Sequence, residues 1–132
     1  MEISKTYRQV INIEEACLGY IERTDKKETA LSLEVARFIR KQINPIKEEF
    51  QEELYMNQVK CAYKDNKGVL ARDEKGGFQI TEEGEAKRIK LNKELMEKEV
   101  GIHTRFIDDI PEDLTEDEVE AFEGIFWQVK TN

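Results

Sequence analysis

Nine acidic side chains and no basic one lie between Asp108 and Gly124 of this 132-residue chain. Carboxylates at such density have three chemical uses. They can hold a divalent cation, imitate nucleic-acid phosphates toward a basic partner, or solvate one face of a helix. A cation site needs several converging ligands, and the other ligand types are sparse. The chain has one histidine, His103, and two distant cysteines, Cys17 and Cys61. The stretch YKDNKGVLARDE imitates a calcium loop, with Gly68 and Glu74 at its sixth and twelfth places. Its first, third and fifth places, however, are Tyr63, Asp65 and Lys67, and an ammonium at a ligand position repels calcium. No metal and no cofactor is expected.

Nucleophilic and phosphate chemistry are equally poorly served. Ser4 and Ser32 are the only serines, and neither sits in a strand–turn–helix elbow. Neither DEKGG nor EEGEA has the spacing of a phosphate-binding loop. The carboxylates are therefore read first as structure. In LTEDEV, Thr115 is an N-cap and Glu118 completes a capping box, with Leu114 and Val119 as a hydrophobic staple. Glu116 and Asp117 occupy a first turn, where the helix dipole favours anions. Val119, Phe122, Ile125, Phe126 and Val129 make the expected buried stripe. Trp127 turns to the same face as Glu120 and Glu123, as an exposed aromatic between acids. Tryptophan is enriched at interaction hot spots, so Trp127, Glu120 and Glu123 are predicted partner-binding residues.

Helices must carry these residues. Only seven glycines and two prolines interrupt the chain. A first helix is expected over Lys5–Glu22, capped by Ser4 or Thr6. Its apolar stripe is Tyr7, Val10, Ile11, Cys17, Leu18 and Ile21, with Ile13 and Tyr20 flanking it and Glu14 interrupting it. A longer helix runs from near Glu28 to about Tyr63. Pro45 kinks it without ending it, because the apolar stripe keeps phase across the proline. Together these form a helical hairpin over 1–64. VLAR and GFQI read as strands of a small hairpin joined by DEKGG. Thr81 caps a further helix ending near Glu99. It carries one stripe of Ala86, Ile89, Met96 and Val100, and a second of Leu91 and Leu95. A helix apolar on two sides lies between layers or offers one stripe outward, so Leu91 and Leu95 are predicted to bind a partner, including a second copy. Ile102–Ile107 alternates and is expected to be a third strand. No internal repeat is evident. The fold class is α+β, mostly helical, in a single domain.

Charge distribution narrows the partners. The first 107 residues balance, and the acidic end supplies the whole net charge of −8. Without a basic patch, direct nucleic-acid binding is not expected. No apolar run is long enough for a membrane span, and the start lacks the apolar core of a secretory signal. A reducing cytoplasm suits the two unpaired cysteines.

The order of a helical hairpin, DEKGGFQI, LNKELMEKEVGI and IDDIPEDLTEDEVEAFEGIF resembles a group of small tailed-phage and prophage proteins. Pro45 within the long helix departs from that pattern. The resemblance implies a viral origin, a bacterial cytoplasm and a non-enzymatic role facing a protein partner. It brings no site residues with it. The other reading is an acidic inhibitor that stands in for nucleic acid at a basic host protein.

Overall fold

A computed structural model describes residues 1–25 and 27–129. The connection expected at 23–28 includes Lys26, and the chain end includes residues 130–132; these lie outside the described residues. The protein is α+β and mostly helical, with a two-stranded antiparallel sheet. Strand β1, Glu2–Thr6, pairs with β2, Glu99–His103, so that Ile3 faces Ile102. The strand expected at Ile102–Ile107 is thus displaced toward the N-terminus, and Lys5 belongs to a strand, not a helix. Beyond β2, the Thr104 amide and hydroxyl both donate to the Met1 carbonyl, at 2.8 and 3.0 Å.

Helix α1, Tyr7–Arg23, starts at Thr6, whose hydroxyl accepts from the Gln9 amide at 3.1 Å while Gln9 Oε1 accepts from the Thr6 amide at 2.9 Å. This reciprocal box satisfies two helix-end donors. Its buried face is Tyr7, Val10, Ile13, Cys17 and Tyr20. That face is rotated from the expected one: Ile13 and Tyr20 are core residues, and Leu18 is exposed. On this face the Tyr20 ring meets Phe122 edge-on at 5.8 Å. Glu14 is accounted for by Lys47, at 2.9 Å.

Helix α2, Ala30–Phe38, opens on a Thr29–Ser32 box. A π-helical turn over Ile39–Ile43 leads into α3, Asn44–Cys61. The helical run passes Pro45 unbroken. Proline lacks an N–H, and its ring crowds the carbonyl four residues earlier. One widened turn accommodates this: the Asn44 amide donates to the Ile39 carbonyl, five residues back.

The chain forms two compact units, Met1–Lys47 with Glu99–Asn132, and Glu48–Lys98. This differs from the expected division into 1–64 and the remainder. The first unit owns the main core, where α1, α2 and β2 meet α5, Glu116–Phe122, around Tyr20, Phe38, Phe122 and Phe126. Three edge-on ring contacts at 5.2–5.8 Å tie these aromatics together.

In the second unit, α3 is followed by two hydrogen-bonded turns and then α4, Glu82–Met96. The turns are successive copies of one pattern. KDNKG and RDEKG stand eight residues apart, a repeat the sequence reading missed. In each, an aspartate closes its own loop. Asp65 accepts from the Lys67 and Val69 amides at 2.8 and 2.9 Å, and Asp73 from the Lys75 and Gly77 amides, each at 2.9 Å. Gly68 and Gly76 sit at φ 78° and 83°, which side chains rarely adopt. The same period closes a ring of backbone bonds. Ala71 donates to Tyr63 at 2.9 Å, Gln79 to Ala71 at 3.0 Å, and Tyr63 to Gln79 at 2.8 Å. VLAR and GFQI therefore form isolated bridges, Lys64–Leu70 and Arg72–Phe78, and not the expected hairpin strands.

Candidate functional site

Two open grooves, one in each unit, collect four of the five predicted partner-binding residues. The first groove lies between α3 and α4. These helices are joined at their flanks by polar contacts. The Asn57 amide donates to Asn92 Oδ1 at 3.0 Å, and Lys98 Nζ meets Glu53 Oε1 at 2.6 Å. At the start of α4, Gly84 lies so close to α3 that a Cβ there would stand 2.5 Å from the Cys61 carbonyl oxygen. With the helices held this way, Met56, Leu91 and Leu95 line an apolar groove of ≈ 490 Å³ edged by Glu53, Lys60, Glu94 and Lys98. Leu95 is its floor, 7% exposed, and Leu91 is half-buried. Neither is the fully exposed knob that two separate stripes implied. On the opposite stripe Ala86 and Ile89 are exposed, Ile89 at 46%, while Met96 and Val100 are half-buried.

The groove's most accessible apolar side chain, Met56, is 49% exposed and was missed in the sequence. A signal for it existed. Glu53, Met56, Asn57 and Lys60 recur at helical spacing and share one face of α3. One Glu53 oxygen is satisfied by Lys98, whereas the other, Oε2, is buried without a donor.

The second groove lies in the other unit, between α1 and α5. The α5 N-terminus forms as predicted. Thr115 Oγ1 accepts from the Glu118 amide at 3.1 Å, and Glu118 Oε1 accepts from the Thr115 amide at 3.0 Å. Glu118 has a second task invisible in sequence. Arg23 Nε and an Nη donate to its two oxygens at 3.1 and 2.6 Å, joining the end of α1 to the start of α5. Burial alone would push the Glu118 carboxyl up. The Arg23 hydrogen bonds, the Thr115 amide and the Arg23 charge outweigh it and hold this carboxyl below its ordinary value. Docked this way, α5 exposes Asp117 and Glu120, and with the half-buried Glu123 just past its end, Glu15 and Lys5 they line a groove of ≈ 600 Å³. Glu120 and Glu123 thus line the same groove.

Trp127 does not join them. It is 6% exposed, and its ring packs edge-on against Phe122 at 6.3 Å. The helical rotation that placed it beside Glu120 ends too early for that. Helix α5 stops at Phe122, Gly124 takes φ 86°, and the Gly124 amide donates to the Trp127 carbonyl at 2.8 Å. The chain folds back and buries the indole in its own core. Val119 within α5 and Val129 beyond the turn, both expected in the stripe, are exposed.

His103 is exposed, and its backbone amide donates to Gln42 Oε1 at 3.1 Å. Cys17 is fully buried, and burial together with the Glu14 charge pushes its thiol up to about 12. It is an inert core residue at neutral pH. Among the described residues no three metal-type side chains converge, and no helix is long and apolar enough to cross a membrane.

The fold and these grooves define a mostly helical α+β protein whose distinctive features are two open surfaces, one apolar and one acidic. No family model matches the chain, and no match is found among curated proteins or solved structures.

Proposed function

We propose that this is a non-enzymatic interaction protein, an assembly or adaptor component of the small phage or prophage kind it resembles, acting in the bacterial cytoplasm. The observation that carries this reading is the α3–α4 groove. Met56 stands half-exposed over Leu91 and Leu95, with charged residues at the edge. An apolar centre within a charged rim is the anatomy of a protein-binding patch. The test is retention of partners on the immobilised protein compared with a Met56→Asp variant of equal helicity. Partners that bind the native chain and not the variant support the reading. An unchanged set of retained proteins contradicts it.

The acidic groove favours a second reading, an inhibitor that takes the place of nucleic acid at a basic host protein. Four acids, Glu15, Asp117, Glu120 and Glu123, line it with Lys5 as the sole basic lining residue. Such binding would weaken steeply with salt. Reversing Glu116, Asp117, Glu120 and Glu123 to lysine would abolish it; unchanged inhibition by that variant sinks this reading.

A further inference from the structure

We infer that the occupant of the α3–α4 groove is a second copy of this chain, with the two α3 helices crossing antiparallel at Met56. This rests on the interaction reading above and names its partner. Three observations carry it. Glu53 and Lys60 are seven residues apart on α3, two helical turns, so they flank Met56 and Asn57 on one face. Their charges are opposite and roughly symmetric about that centre. A two-fold axis between Met56 and Asn57 therefore sets Lys60 of each copy against Glu53 of the other. That is the self-complementarity an isologous contact requires. Second, the Glu53 side chain stays 30% exposed at the groove edge, where Lys98 Nζ meets its Oε1 at 2.6 Å. Third, Lys60 is exposed, and among the described residues no ion pair holds it. A second copy brings each Lys60 ammonium to the exposed side of a Glu53 carboxylate while Met56 covers the apolar floor. The patch is small, so the dimer is weak and salt-sensitive.

Charge exchange tests this directly. In Lys60→Glu, an isologous pair would oppose two acids at each end; in Glu53→Lys, two bases. Each variant alone is expected to be monomeric by native mass spectrometry and sedimentation. An equal mixture is expected to form a one-to-one heterodimer, since both ends then pair Glu with Lys. Circular dichroism of each variant confirms that α3 is intact. A monomeric wild-type chain at its highest soluble concentration, or a mixture that stays monomeric, overturns the second copy as occupant. The interaction reading itself fails separately, only if Met56→Asp also leaves the set of retained partners unchanged.

Discussion

Glu118 does more at the residue scale than any other carboxylate here. It closes the α5 capping box and accepts two hydrogen bonds from Arg23. Replacement by alanine is expected to cost about 1–2 kcal/mol, less than a fully buried pair because Arg23 is partly in solvent. Urea unfolding measures it. The pH dependence has a definite sign. A carboxyl held below its ordinary value when folded stabilises the protein above its unfolded pKa, about 4.3 for glutamate. That stability drains away as pH falls through the folded value. The thermal midpoint of the native protein should therefore fall more steeply below about pH 4.3 than that of Glu118→Gln. Trp127 gives a contrasting expectation. As a core residue, Trp127→Ala should lose about 3–5 kcal/mol of stability. A stable variant that had lost only partner binding would restore the exposed-tryptophan reading.

Elements show where physical chemistry is local and where it is not. Capping boxes are local, and Thr115–Glu118 and the Thr81 cap were legible because every participant lies within four residues. The strand β1 was illegible because five residues of alternation say little, and its partner is about a hundred residues away. The helical period misplaces Trp127 because α5 ends at Phe122 and Gly124 turns the chain before the indole is reached. The groove was half-legible: Leu91 and Leu95 were found, while Met56 and Lys60 needed α4 in place to become a lip. The eight-residue repeat was hidden by its variable positions, where Asn66 corresponds to Glu74 and Val69 to Gly77. Since Asp65 and Asp73 accept equivalent amide pairs, alanine at either should cost a similar amount, about 1 kcal/mol. Closely matched urea midpoints for the two variants would support the repeat. A large difference between them would show that only one turn carries the closure.

At the scale of the molecule, the proposed function rests on surfaces. The main core belongs to the unit of Met1–Lys47 and Glu99–Asn132, and the apolar groove to Glu48–Lys98. The proposed self-association through that groove rests on a charge pattern symmetric about the Met56–Asn57 step and on a Lys60 that no ion pair holds among the described residues. Sedimentation equilibrium across protein concentration, comparing the native chain with Met56→Asp, tests this most directly. The expected result is a monomer–dimer equilibrium for the native chain, weakened by salt, and a monomer for the variant. Identical monomeric behaviour of both proteins at every concentration would contradict it.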